Sequence, residues 1–454
     1  MFASRQEFKS LASALVAAQR SIALYPPGHP RIKASLDDCF RLLRDLLQRH
    51  QQVPIVLADK EFVVGDLQIP IGDEISEELA ATLREAGVEK LIFSEGLRSW
   101  ELQVFLRLLD ADSDARDLAG DFQRLLDSEG TQHILAGTLV AGPVEEPADD
   151  MLVQAWEAYT GGLRVVRKLR HGYRTSGTLD NLDETKGFVR DLVELAAQHT
   201  RPLLALQSLK VHDEYSFTHS INVATLTLAM AQGLSLPRYD LHEITLAAIL
   251  HDIGKERVSG EVLRKPGKLN DAEWKEMADH SLLGAKILAT ADGVGDLAPI
   301  VAYEHHLKQA RRGSGSSRWR LHVVSEMVTI ADVYDALRST RPYRGEIPPD
   351  RALEIMQAEA EEKFNPDLFA GFSRLVGYYP PGICVRLSNG ATAIVYRTDS
   401  DALDRPGVLV VRDEDGEHLE SPYRLELVDA DEGELSVSAV LDAESAGVDP
   451  FDYL

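Results

Sequence analysis

The stretch Ile249-Leu250-His251-Asp252-Ile253-Gly254-Lys255 closes a helix that begins near residue 238 and runs straight into a glycine. An adjacent imidazole and carboxylate at a helix end can ligate neighbouring metal ions, with the carboxylate bridging them, and a lysine three residues on can hold a phosphate oxygen. A histidine–aspartate pair alone is common by chance, so its companions decide. Nine of the fourteen histidines fall between 199 and 322. His199, His212, His242 and His322 read as surface or satisfied core residues. His219, His251, His280 and the doublet His305-His306 stand with Asp252 and Asp332 at the ends and inner faces of successive predicted helices. Adjacent helical side chains diverge by ~100°, so the doublet is expected to feed two ions and not to clamp one. Such nitrogen and oxygen donors, with no thiolate, suit two divalent cations, iron or manganese above zinc.

Outward from this segment, residues 151–378 read almost entirely as helix, with breaks at Thr175-Ser176-Gly177, near Pro237, at 254–269 and at 307–319. Before them, residues 1–141 read as a small α+β domain. Two helices flank the breaker Tyr25-Pro26-Pro27-Gly28-His29-Pro30, VPIVLAD and EFVVGDLQIP form two strands, and a helix (75–87), a short strand (LIFSEG) and two helices (98–127) follow. The acidic, proline-bearing segment 142–150 reads as a linker. After residue 378, turn pairs at Asn389-Gly390 and Asp415-Gly416 between β-branched runs predict hairpins, hence a small β-barrel-like domain over 379–454 ending in a loose acidic tail. The expected fold is therefore multidomain, with an all-α core between a small α+β domain and a small β domain. No 20–50-residue repeat is evident.

The chain has 454 residues and a net charge of −25, which disfavours long nucleic acids as partners. Residues 381–454 hold five basic and seventeen acidic residues, a net of −12, whereas 303–344 hold eight basic and four acidic, a net of +4. That basic stretch also holds the doublet and suits a small di-anionic ligand. No window approaches ~18 uninterrupted apolar residues, the N-terminus has no signal-peptide pattern, and Cys39 and Cys384 form no pairing motif. A cytoplasmic protein with no membrane association is expected. Helices around 151–210 offer a homodimer interface as readily as they pack on their own core. Trp274 and Phe364 read as core or helix-staple residues.

The ordered runs HSINVA (219–224), LHDIGK (250–255), LRKPGKLNDAEW (263–274), DHSLLGAKIL (279–288), EHH (304–306), IADVYDALRSTRPYR (330–344) and FNPDLF (364–369) resemble the HD-GYP subgroup of HD-superfamily phosphohydrolases. The resemblance covers about 200–378. It implies an all-helical HD core with a metal centre that hydrolyses the cyclic dinucleotide c-di-GMP. The ligands it implies are His219, His251, Asp252, His280, His305, His306 and Asp332. Lys255 is implied at the scissile phosphate, and Asp335, Arg341 and Arg344 in the nucleotide pocket. Less distinctively, the flanking segments also resemble ones that accompany this core, so the N-terminal domain is expected to be regulatory and protein signalling partners are expected.

Two departures from the family pattern stand out. A glutamate four residues before the first histidine would reach a third metal; Tyr215 occupies that position, so two ions are expected. The doublet is followed in the family by ERxDGxGYP, but here the run reads HHLKQARRGSGSSRW, with Leu307 in place of the glutamate. Arg311, Arg312 and Arg318 form either a solvated loop or a substitute wall of phosphate contacts. The expected chemistry is that of two ions ~3.5–4 Å apart, which lower the pKa of a shared water and aim the bridging hydroxide at phosphorus. Asp252 would bridge the ions while Lys255, Arg341 and Arg344 neutralise transition-state charge. The alternatives are a catalytically impaired module that binds nucleotide or a partner, and a phosphohydrolase for another nucleotide.

Overall fold

The computed structural model describes residues 4–26, 29–58, 60–64, 67–109, 122–138, 149–198, 204, 215–236, 238–265, 267–307, 321–339, 346–399, 402–429, 435–448, 450 and 453. It divides into two compact units, Met1–Leu139 with Leu234–Pro237, and Val140–Gly233 with Arg238–Leu454.

In the first unit, α1 (Arg5–Leu24) and α2 (Pro30–Leu47) precede β1 (Gln52–Ala58), β2 (Glu61–Val64) and β3 (Leu67–Pro70). Then follow α3 (Glu74–Glu85), β4 (Lys90–Ser94), α4 (Ser99–Leu109), α5 (Phe122–Ser128) and β5 (Ile134–Gly137). The antiparallel sheet has the order β3-β2-β1-β4-β5. Phe8, Leu11 and Leu15 of α1 recur at helical spacing and meet Phe62, Phe93 and Phe105 in one core. Two features depart from the sequence reading. EFVVGDLQIP contains two antiparallel strands, with Val64 opposite Leu67, and the short strand β5 pairs with β4 although its sequence carries no alternating signal.

The second unit begins with the long α6 (Asp149–Ser176), which Gly177 ends at φ +78°, and α7 (Leu182–Gln198). Asp149 and Asp150, expected in the linker, already belong to α6. The core continues with α8 (Tyr215–Gly233), α9 (Arg238–Leu250), a 3₁₀ turn (Ile253–Arg257), α10 (Gly260–Leu263), α11 (Asp271–Ala278), α12 (His280–Ala289), α13 (Leu297–Glu304), α14 (Val323–Arg338), α15 (Pro349–Lys363) and α16 (Pro366–Val376). Helix α8 is apolar around much of its circumference, burying Ile221, Val223, Leu226 and Leu228, and it packs between α9 and α14. The expected break at 254–269 is thus partly helical. Phe364 is buried as expected, but Trp274 is 60% exposed and contributes nothing to the core.

The same unit carries β6 (Cys384–Leu387), β7 (Thr392–Arg397), β8 (Gly407–Arg412), β9 (His418–Glu426) and β10 (Val437–Leu441), in the order β10-β6-β7-β8-β9. Both predicted hairpins form. Gly390 turns at φ +98° and Gly416 at φ +83°, conformations that glycine adopts without steric cost. Among the described residues the sheet is open, not a closed barrel. The C-terminal segment is also better held than expected: α17 (Ala443–Ala446) follows β10, and Val448 packs with Cys384, Ile394 and Val411. No described helix is long and apolar enough to cross a membrane.

Candidate metal centre

Helix ends deliver most of the cluster. Helix α9 stops at Leu250, so His251 and Asp252 lie in the turn that starts the 3₁₀ segment; His280 opens α12, and His305 caps the C-terminus of α13. His219 comes from α8, and Asp332 and Asp335 from the middle of α14. The close approach of the 3₁₀ turn to α12 depends on Gly254. A Cβ there would stand 1.9 Å from the His280 carbonyl oxygen and 2.5 Å from the Gly284 nitrogen.

Three histidines share one device. The Nδ1 of His251 donates to the Ala248 carbonyl (2.6 Å), that of His280 to Met277 (2.5 Å), and that of His305 to Ala302 (3.0 Å). A carbonyl only accepts, so each Nδ1 carries the proton and each Nε2 offers a lone pair. His219 follows the same logic with a carboxylate, its Nδ1 lying 2.7 Å from Asp335 Oδ2. These Nε2 atoms converge on Asp252. Its Oδ1 lies 3.3 Å from His280 Nε2 and 3.8 Å from His305 Nε2, and its Oδ2 lies 3.4 Å from His251 Nε2 and 3.6 Å from His219 Nε2. Asp332 Oδ1 sits 3.2 Å from His219 Nε2, and its Oδ2 lies 3.8 Å from His306 Nδ1.

Two donor groups result, His219-His251-Asp252 and His280-His305-His306, each with ligand atoms within 4.8 Å of one another. Both histidines of the doublet fall in the second group, and His306 also faces Asp332. The doublet's rings lie 4.1 Å apart at 44°. His306 is half-exposed and marks the open side, whereas His219, His251, Asp252, His280 and His305 are buried.

The residues fit a metal. The Nε2 of His251 and Oδ1 of Asp252 are buried without a hydrogen-bond partner. The lone pairs of His280 and His305 face each other across 3.3 Å and both face the Asp252 carboxylate. Such unmatched acceptors are costly to bury unless a cation lies among them. Electrostatics agree. Burial favours the neutral Asp252, but the Lys255 ammonium and His251 hold its carboxyl well below the usual range. Burial, then the neighbouring His306 and His251 rings, push His305 far down, so it stays neutral. Burial opposes charge on His219, yet hydrogen bonds to Asp332 and Asp335 raise its pKa to about 9, so a metal entering there displaces a proton.

The HD-domain family profile matches residues 190–368. A cyclic di-GMP phosphodiesterase of Pseudomonas aeruginosa is 33% identical over 287 residues, 61% of this chain and 67% of that protein. The chain belongs to the HD-GYP subgroup of HD-domain metal-dependent phosphohydrolases. A 3′3′-cGAMP-specific phosphodiesterase of Vibrio cholerae is 35% identical over 168 residues, 37% of this chain and 36% of that protein. A cyclic di-GMP phosphodiesterase of Thermotoga maritima is 26% identical over 245 residues, 51% of this chain and 66% of that protein.

Within this HD-GYP domain, one residue stands elsewhere than expected. Asp335, expected on the nucleotide pocket wall, is buried behind His219, its carboxylate taken by the imidazole and by Asn222 Nδ2 (2.6 Å). Lys255, expected at a phosphate, is ion-paired with Asp252 Oδ2. Arg341, Arg344, His199, His212, Arg311, Arg312 and Arg318 lie outside the described residues, as does nearly all of the altered loop after Leu307. His322 has the structural role read for it, accepting from Val324 N as the N-cap of α14, while its own backbone N–H donates to the buried Glu304. Sequence reading missed Asn222, although it stands three residues after His219 on the same helix face, and Tyr159, whose hydroxyl donates to Asn222 Oδ1 (2.8 Å) and whose position carries no motif.

Proposed function

We propose that the chain is a phosphodiesterase that hydrolyses a cyclic dinucleotide, with c-di-GMP as the substrate and two divalent cations, iron or manganese, at the centre just described. The observation that carries this reading is Asp252, one of whose oxygens faces each histidine group. A carboxylate so placed would serve an ion held by either group. His219, His251, His280, His305, His306 and Asp332 complete the proposed ligand set. When bound, two such ions supply an activated water and neutralise charge on the phosphate oxygens.

The chain's own residues do the rest. The Nδ1 donors lock each imidazole with Nε2 inward, so no ligand must reorient during the reaction. Burial of the histidines keeps bulk water from the inner side and leaves His306 at the approach. Lys255 is a quarter exposed and competes with any cation at Asp252 for the same oxygen, which makes it the ammonium available to a substrate phosphate. Arg341 and Arg344 are proposed as further phosphate contacts on sequence grounds. Cytoplasmic location is proposed with them, in keeping with the buried free thiols of Cys39 and Cys384.

A second substrate is favoured by one specific finding. The 35% identity to a 3′3′-cGAMP-specific enzyme makes that hybrid dinucleotide the competing assignment. Protein reconstituted with Mn²⁺ or with Fe²⁺ under anaerobic conditions, then given c-di-GMP and 3′3′-cGAMP in parallel, tests both. Faster cleavage of c-di-GMP supports the assignment, and faster cleavage of 3′3′-cGAMP replaces it. Tight binding of either dinucleotide without cleavage by metal-replete protein would reduce the domain to a binding module.

A further inference from the structure

We infer that Tyr159, on the helix that leads into the HD core, is a positioning residue for His219. The inference rests on the reading of His219 as a metal ligand. Tyr159 is buried (3% exposed) and belongs to α6, far in sequence from every motif of the site. Its hydroxyl donates to Asn222 Oδ1 at 2.8 Å, Asn222 Nδ2 donates to Asp335 Oδ1 at 2.6 Å, and Asp335 Oδ2 accepts from His219 Nδ1 at 2.7 Å. Each link has a fixed direction. A carboxylate only accepts, so Asn222 must turn its amide nitrogen to Asp335 and its oxygen to Tyr159. The hydroxyl thereby selects the amide orientation, the amide holds the carboxylate, and the carboxylate holds Nδ1 of the imidazole so that Nε2 is turned toward Asp332 and Asp252.

Helix α6 supports the other side of the centre as well. Arg170 and Arg174 both pair with the buried Glu256, and the Arg257 guanidinium lies over the Tyr173 ring and donates to its hydroxyl at 2.9 Å. Glu256 and Arg257 immediately follow Lys255 in the 3₁₀ turn. One helix therefore braces both His219 and the turn that carries Asp252 and Lys255, and Tyr159 is its link to a ligand.

Tyr159→Phe keeps the ring and removes the hydroxyl. Groups that orient a metal-bound histidine are worth about 10–100-fold in metal affinity. The full-length apo protein is titrated with Mn²⁺, with its melting temperature recorded in parallel. The expected result is Mn²⁺ binding weakened about tenfold, with the apo melting temperature within a few degrees of wild type. Asn222→Ala is expected to weaken binding similarly, and the double variant no more than either single one, because all act through one chain of bonds. Wild-type affinity in Tyr159→Phe, or fully additive losses in the double variant, would overturn the inference. His219→Ala separates this from the site reading itself: unchanged Mn²⁺ stoichiometry there refutes the ligand assignment. Loss of metal there, with Tyr159→Phe unaffected, refutes only the role of Tyr159.

Discussion

His219 Nδ1 lies 2.7 Å from Oδ2 of Asp335, a residue 116 positions later in the chain, and both side chains are buried. A histidine held this way presents one nitrogen to the carboxylate and reserves the other, which sits 3.2 Å from Asp332. Two carboxylates one helical turn apart on α14 thus grip the two edges of one imidazole, and the second contributes only by orienting it.

Asp335→Asn removes the acceptor charge but keeps the shape. Metal affinity is expected to fall about 10–100-fold while the protein stays folded. Elemental analysis after dialysis against limiting Mn²⁺ checks this, and full metal retention would show that Asp335 does not orient His219.

Asp252→Ala removes a buried carboxylate whose two oxygens face both donor groups. Metal content is expected to fall to nearly nothing and cyclic-dinucleotide turnover to drop by about 10³ or more, the equivalent of ~4 kcal/mol of transition-state stabilisation. Steady-state turnover beside metal stoichiometry is the measurement. Loss of metal with undiminished turnover is incompatible with the proposed chemistry.

Gly254→Ala places a methyl group against backbone atoms of α12 that have no freedom to rotate away. A cost of about 1–3 kcal/mol is expected, together with displacement of His280 from Asp252 and reduced metal binding. A lowered melting temperature with lowered metal content is the predicted pair of readings, and a wild-type result for both contradicts the close approach.

Stripping the metal with a chelator should destabilise the second unit, because the unmatched acceptors lose their cation. At a free metal concentration about 100-fold above Kd, binding contributes ~2.7 kcal/mol. A melting temperature that drops on chelation and recovers with Mn²⁺ or Fe²⁺ is expected, whereas an unchanged one shows that no resident ion was bound.

The first unit offers a pH test. Glu101 is buried and accepts from the backbone N–H groups of Arg98 (2.8 Å), Gln132 (2.7 Å) and His133 (3.1 Å), and from the His133 ring. Burial opposes its ionisation, but these bonds prevail and lower its pKa. A depressed folded value means that the stabilisation is complete above the ordinary carboxylate pKa of ~4.3 and is lost as pH falls through the folded value. Glu101→Gln is expected to cost about 2 kcal/mol near pH 7. Amide exchange over 131–137 should quicken roughly thirtyfold, and the difference from wild type should shrink below about pH 4. Equal exchange at neutral pH would show that the carboxylate anchors nothing.

Local signals were readable where local physics acts alone. Asn389-Gly390 gave its hairpin because the turn needs a residue tolerant of positive φ, and the helical spacing of Phe8, Leu11 and Leu15 identified a buried face. Strand β5 escaped notice because Ile134-Leu135-Ala136-Gly137 is too short to show alternation and forms by pairing with β4. Trp274 misled because a large apolar residue implies burial only when something packs on it.

The sequence by itself determined the helical core and the inventory of candidate metal ligands, because helix periodicity and donor chemistry are properties of neighbouring residues. Tertiary structure decided the rest. Only the folded chain brings a lone pair from each buried histidine onto one carboxylate, gathers His305 and His306 into a single group, and moves Asp335 from the expected pocket wall to a place behind His219. Those relations join residues up to 116 positions apart and depend on a backbone contact at Gly254 that spacing cannot encode.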